Sequence, residues 1–195
     1  MPSFWQLRCA SYIVKAGGII AYPTEAVFGL GCDPYNQRAL TKILALKGRP
    51  INKGVILIAA DFNQIIPFIA PLSNLPAARI TQIKASWPGP VTWVLPARND
   101  IPHWLTGGRH TIAVRITAHP SAVALCRICK TALVSTSANS TNHLPLRNSL
   151  QLRRWLQRLP GNNENHINYI LPGYCGPTSR PSRIIDATSG LTLRH

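Results

Sequence analysis

Residues 19–60 read IIAYPTEAVFGLGCDPYNQRALTKILALKGRPINKGVILIAA, and the fold turns on how that stretch divides. Ile19-Ile20-Ala21-Tyr22 is a short apolar run of strand formers. Pro23-Thr24-Glu25 stops it and leaves a hydroxyl and a carboxylate at its end. At the far side, Val55-Ile56-Leu57-Ile58-Ala59-Ala60 is continuously apolar, the pattern of a strand covered on both faces. Between them, from Asn36 to Leu46, apolar residues at 40, 43, 44 and 46 approximate a helical stripe. The stretch therefore reads strand, loop, helix, basic loop, strand, with Lys47-Gly48-Arg49-Pro50 and Lys53 in the basic loop. In open α/β sheets ligands gather outside the carboxyl ends of strands, so Thr24, Lys47, Arg49 and Lys53 are expected to face one pocket.

Outward from this unit the chain has room for a full core. Its 195 residues, 46% hydrophobic, predict one folded domain over residues 1–195 and argue against disorder. No apolar run is long enough to span a bilayer, and Met1-Pro2-Ser3-Phe4-Trp5-Gln6 lacks the order of a signal peptide, so a soluble, cytoplasmic protein with no membrane partner is expected. Lys plus Arg number 21 against 6 Asp plus Glu, a net charge of +15. That excess attracts polyanions such as nucleotide phosphates or RNA, and it is also what a lineage with a basic proteome would show. The acids Glu25, Asp33, Asp61, Asp100, Glu164 and Asp186 are too few and too scattered for a carboxylate-built metal site or a paired-carboxylate hydrolase. Five unevenly spaced cysteines suit reduced thiols; Cys126 and Cys129 fall inside a helical segment and read as thiols on one buried face.

Along the rest of the chain, Phe4–Lys15 reads as an amphipathic helix ended by Gly17-Gly18. Asp61 is a candidate N-cap for a short helix over 62–69, and a further helix is expected over 75–86. Trp87-Pro88-Gly89-Pro90 forces a turn into a strand at 91–95, with Trp87 and Trp93 as packing residues. After a connector at 101–105, Thr111-Ile112-Ala113-Val114-Arg115-Ile116 is an apolar strand broken by one arginine. Burying that cation unpaired would cost several kcal/mol, and with acids so scarce Arg115 is expected to face a ligand. A helix at 121–130 leads to Ala132-Leu133-Val134-Ser135-Thr136-Ser137-Ala138-Asn139, a strand ending in hydroxyls and an amide. Those groups suit phosphate or carboxylate oxygens, and equally a capped turn. A loop at 140–147 precedes a helix carrying Leu152, Trp155, Leu156 and Leu159 on one face and Arg154 and Arg158 on another. A polar link at 160–166, a strand at 167–171, a Pro- and Gly-rich loop at 172–181 able to act as a lid, and two short strands at 182–186 and 191–194 complete the chain.

The familiar phosphate cradles, G-x-x-x-x-G-K-[ST] and G-x-G-x-x-G after a strand, are missing, as are G-x-S-x-G and H-E-x-x-H. What is present is an ordered series: Tyr22-Pro23-Thr24-Glu25-Ala26-Val27-Phe28-Gly29-Leu30-Gly31, Lys47-Gly48-Arg49-Pro50 with Lys53-Gly54, Trp87-Pro88-Gly89-Pro90-Val91-Thr92, Ala113-Val114-Arg115, and Ser135-Thr136-Ser137-Ala138-Asn139. In this order the motifs resemble the signature of the YrdC/Sua5 family through essentially the whole chain, at a length resembling the family's short bacterial form.

The resemblance implies an α/β fold, a single-domain twisted open sheet of mixed parallel and antiparallel strands with flanking helices and a positive concave surface. It implies a reaction in which L-threonine, bicarbonate and ATP give L-threonylcarbamoyladenylate and pyrophosphate, with Mg²⁺ accompanying ATP. Separate proteins then carry the threonylcarbamoyl group to adenosine 37 of tRNA. By the resemblance, Thr24, Arg115, Ser135 and Ser182 surround threonine. Lys47, Arg49, Lys53, Thr111, Ser137, Asn139 and Arg194 surround ATP, with Lys47 and Arg49 the catalytic pair. The sequence departs from the long-form pattern at Lys53-Gly54, where that form has Asn-Pro, and at Ile58, where it has a histidine. Arg180-Pro181-Ser182-Arg183 also differs from the usual G-x-x-S-T. The competing reading is a non-catalytic module for tRNA or double-stranded RNA, using the Arg153, Arg154 and Arg158 face. A third is a carbamoyltransferase relative that takes carbamoyl phosphate.

Overall fold

The computed structural model describes residues 1–140, 143–158, 167–178 and 181–194. The polar link expected at 160–166 lies outside them, as do two residues of each loop at 140–147 and 172–181.

Helix α1 (Phe4–Lys15) starts in a capping box. Ser3 accepts from the Gln6 amide and the Gln6 side chain returns a bond to Ser3 N. Strands β1 (Ile20–Pro23) and β2 (Phe28–Gly31) form an antiparallel hairpin across Thr24–Val27. Residues 28–31 carry no strand signal of their own in the sequence, because two of the four are glycines and their order comes from β1 on one side and a later strand on the other. Helix α2 (Gln37–Lys47) is capped by Asn36 and ends at Gly48 in the left-handed conformation that glycine favours. A 3₁₀ turn at Ile51–Lys53 leads to β3 (Ile56–Ala59). Asp61 does act as a cap, but the segment it opens is two 3₁₀ turns, Phe62–Gln64 and Ile66–Phe68, because Pro67 supplies no N–H for an α-helical ladder.

The remaining elements are α3 (Ala77–Ala85), β4 (Val91–Pro96), α4 (His103–Thr106), β5 (Thr111–Ile116), α5 (Pro120–Cys129), β6 (Leu133–Ser137), α6 (Ser149–Gln157), β7 (Tyr169–Ile170), β8 (Arg183–Asp186) and β9 (Thr192–Arg194). Helix α4 occupies what read as a bare connector. The described strands make one sheet in the order β7-β1-β2-β6-β3-β5-β4-β8-β9. Pairs β1/β7, β3/β5 and β4/β8 are parallel and the others antiparallel. The mixed open sheet is therefore as the family resemblance implied.

Side-chain alternation sorts the centre of the sheet into two faces. Leu57, Ala59, Val114, Ile116 and Val134 point into a large core with Leu40, Ile43 and Leu44 of α2 and Ile83 of α3. Ile58 and Leu133 point the other way, into a second core with Leu7, Ala10 and Val14 of α1 and Leu125 and Cys126 of α5. That second layer covers only part of its face. Ile56, Ala113, Ser135 and Ser137, on the same face but beyond the helices, line a hollow. Among the described residues no helix is long and apolar enough to cross a membrane.

Candidate active site

The hollow encloses about 610 Å³ on the uncovered half of the sheet. This differs from the pocket expected at the carboxyl ends of strands. That rule belongs to parallel sheets, and here antiparallel neighbours and the partial α1/α5 layer leave a face open instead. Strand β5 forms its floor. Alternation along the strand sends Thr111, Ala113 and Arg115 into the hollow, while Ile112 and Val114 are fully buried in the core behind.

Thr24, Arg49, Lys53, Thr111 and Arg115 all line the hollow, as do Ser135, Ser137, Ser182 and Arg194. Lys47 and Asn139 do not reach the lining; they form the support behind it. The Lys47 ammonium, in a residue 4% exposed, donates to the carbonyl of Ser137, to that of Asn139 at 2.7 Å and to Asn139 Oδ1 at 3.2 Å. Burial, with a smaller push from Arg49, pulls its pKa down to about 8. Asn139 in turn donates to the carbonyls of Ser140 and His143 at 2.9 and 2.5 Å. The hydroxyls and amide at the end of β6 thus split between the two roles left open: Ser135 and Ser137 face the hollow, and Asn139 caps the turn.

Arg49 reaches the hollow because Gly48 turns the chain sharply after α2. Its Nη2 donates to Gly54 O at 3.0 Å, while its Nε is buried without a hydrogen-bond partner. Burial and then Arg109 lower its pKa. Arg109 itself lines the hollow and was not singled out from sequence. The signal was present, since positions 109, 111, 113 and 115 share a parity leading into one strand.

Arg115 corrects one expectation. It lines the hollow, as predicted, yet it also has the acid partner thought too scarce: Glu25 Oε2 lies 3.3 Å from its Nη2. Glu25 Oε1 accepts from Thr117 Oγ1 at 2.6 Å and Ala118 N at 3.1 Å. Burial pushes the Glu25 carboxyl up, but Arg115, Thr117 and the backbone amides outweigh it and hold its pKa below the usual value. Glu25 was legible only as a carboxylate after a strand, because its partners lie about ninety residues away.

At the far wall Arg194 donates through Nε and Nη2 to Ser182 O, at 3.1 and 2.8 Å, and through Nη2 to Ser182 Oγ at 3.1 Å. The Ser182 and Thr92 hydroxyls lie 3.0 Å apart. Residues assigned by resemblance to different substrates are here in direct contact. Thr24 Oγ1 donates to Val27 O at 2.6 Å, which leaves its lone pairs for a ligand. Ile58 is fully buried beneath the helical layer, so the long form's histidine position offers no contact here. Asp186 lines the hollow but its Oδ1 accepts from Thr188 N, Ser189 N and Ser189 Oγ.

Along β5 the hollow has a direction. Arg49, Lys53 and Arg109 gather where the strand begins. Arg115, Glu25 and Thr117 lie at its end, about 13 Å further on at the usual rise per residue.

The Sua5/YciO/YrdC family model, whose description reads telomere recombination, matches residues 12–195. The chain belongs to this family. A threonylcarbamoyl-AMP synthase of Nitrosococcus oceani is 50% identical over 190 residues, covering 97% of each chain. That of Halorhodospira halophila is 48% identical over 191 residues, covering 98% of this chain and 95% of its own. P. abyssi Sua5 complexed with L-threonine superposes with a TM-score of 0.81 at 29% identity, over 93% of this chain and 51% of that one. This Sua5/YciO/YrdC chain thus spans about half the length of the P. abyssi protein. E. coli YciO, at 23% identity and a TM-score of 0.83, shares the fold across 100% of this chain and 91% of its own.

Proposed function

We propose that the chain condenses L-threonine, bicarbonate and ATP into L-threonylcarbamoyladenylate, releasing pyrophosphate, in the cytoplasm. The observation that carries this reading is the single hollow with a cluster of cations at one end and a guanidinium–carboxylate pair among hydroxyls at the other. That layout suits a nucleotide triphosphate and an amino acid held end to end. The threonine amine adds to CO2 with loss of a proton, or condenses with bicarbonate with loss of water, and the carbamate oxygen attacks the α-phosphorus as pyrophosphate leaves. No enzyme nucleophile is needed. Alignment of such reactants supplies about 7 to 11 kcal/mol of the barrier, and fixed positive groups stabilise charge on the phosphorus and leaving group.

In this reading Arg115 meets the threonine carboxylate, and Thr24, Ser135 and Ser182 surround its remaining polar groups. Arg49, Lys53, Arg109 and Arg194 gather the phosphates, with Thr111 and Ser137 alongside. Lys47 contributes from behind the wall: it fixes the two carbonyls at the end of β6 and with them the orientation of Ser137 and Asn139. Glu25 and Asp186, the carboxylates on the lining, are both engaged, and among the described residues no three His, Cys, Asp or Glu cluster for a metal. Mg²⁺ would arrive with the nucleotide, held chiefly by phosphates and water. Separate proteins would carry the product to tRNA.

Pyrophosphate release, with threonine or bicarbonate omitted in turn, tests the proposal: both omissions should abolish it. Release of inorganic phosphate from carbamoyl phosphate would sink the reading in favour of a carbamoyltransferase.

A further inference from the structure

The cations of the hollow set a problem for a two-substrate site. Arg49, Lys53, Arg109, Arg115 and Arg194 all line one cavity, and a triphosphate would be attracted to any of them. Arg115 and Arg49 each act on Arg194, lowering its pKa after burial has done so, and thus the positive field spans the hollow. The cluster of Arg49, Lys53 and Arg109 favours one end, yet Arg115, left unbalanced, would still draw a polyphosphate towards the other.

Glu25 answers that charge. Its side chain is 14% exposed and that of Arg115 10% exposed, so their pairing at 3.3 Å is sheltered from the solvent that weakens surface ion pairs. The carboxylate cannot swing aside, because Oε1 is held by Thr117 Oγ1 and Ala118 N. The backbone at Glu25 is pinned as well. Thr178 Oγ1 donates to Glu25 O at 2.8 Å, and Gly176 N donates to the preceding Thr24 O at 3.0 Å. Glu25 Oε2 and Arg115 Nε are both shut off from water without a hydrogen-bond partner. The Glu25–Arg115 pair is thus close to neutral, whereas Arg49, Lys53 and Arg109 at the other end have no carboxylate engaged with them among the described residues.

We propose that Glu25 fixes the direction in which the two substrates lie. By cancelling most of the Arg115 charge, it leaves that end able to take one carboxylate but with little attraction for a polyphosphate, which is drawn to the Arg49 end. Glu25 is then a positioning and specificity residue that keeps ATP out of the amino-acid subsite. This rests on the synthase reading above and adds to it the means by which the subsites are kept apart.

The test is the inhibition pattern of inorganic tripolyphosphate, with Mg²⁺ in excess, on pyrophosphate release by the full chain. With the wild type, tripolyphosphate should compete with ATP and not with threonine. In Glu25→Gln it should compete with threonine as well. At low ATP the apparent KM for threonine should be no higher than in the wild type, and it should rise about tenfold as ATP is increased to saturation. Glu25→Asp, which keeps the charge, should retain the wild-type pattern. A merely structural Glu25 would raise KM in the Gln variant without making tripolyphosphate or ATP compete with threonine, and that outcome overturns the inference. Competition against both substrates in the wild type overturns it too, without need of a variant that folds. Failure of the wild type to release pyrophosphate from its three substrates would overturn the functional reading itself, a result distinct from either pattern.

Discussion

Lys47 and Arg49 are separated by one glycine, and the left-handed turn at Gly48 sends them to opposite sides of one wall. Their substitutions should therefore fail differently. Arg49→Ala should lower adenylate formation by orders of magnitude while leaving the melting temperature near that of the wild type. Lys47→Ala should lose both activity and about 1 to 3 kcal/mol of stability, because it strips a donor from buried carbonyls; paired kinetics and denaturant unfolding separate the two. Lys47 also has a pH signature. Its folded pKa is about 8 against 10.5 when unperturbed, so between those values the unfolded chain holds the proton and the folded chain does not. Folding stability contributed by this lysine therefore increases as pH rises through that window. Unfolding at pH 7.5 and 9.5 should show the wild type gaining on Lys47→Met by the higher pH; an unchanged difference would refute the shift. The sequence marked both residues as members of one basic loop, but which side of the wall each faces depends on a single backbone angle that spacing does not encode.

At the scale of elements, the segment after β7 shows how a loop joins the site. Tyr174 O meets His119 Nε2 at 3.0 Å, Arg147 Nη2 donates to Gly176 O at 3.3 Å, and Gly176 and Thr178 bond the backbone of Thr24 and Glu25. The loop that read as able to act as a lid is, over its described part, tied across the β1–β2 turn. A Cβ at Gly176 would collide with Glu25 O. Gly176→Ala should thus push the strap away, costing about 1 to 3 kcal/mol as other overpacked sites do. It should raise the KM for threonine more than that for ATP; equal effects on both would argue against the strap's tie to the Glu25 end. Helices α1, α2 and α6 were legible from their apolar stripes, and each begins at a capping side chain, Ser3, Asn36 and Asn148. Strand β2 was not, because Phe28-Gly29-Leu30-Gly31 has no strand character apart from its neighbours. The strap was invisible as a strap, since its partners are scattered from Thr24 to Arg147.

For the whole molecule, a charge of +15 and an α6 with exposed Arg153 and Arg154 predict weak, salt-sensitive RNA binding. Replacing Arg153, Arg154 and Arg158 with Gln should flatten the salt dependence of RNA affinity, measured by filter binding, and leave pyrophosphate release unchanged. Loss of that release would tie the helix to catalysis instead. The mixed sheet and the gathering of separated motifs into one hollow were foreseen because the motifs were read as an ordered set. The hollow's position on an open face was not, since it depends on how far α1 and α5 reach across the sheet. The ammonium sealed beneath the hollow's surface acts at this scale too. A charge that anions can feel but cannot grip draws the nucleotide in without adding a bond that must be broken on departure. Capture and release are thereby tuned by different residues: departing pyrophosphate has contacts to break with the cations on the lining and none with Lys47.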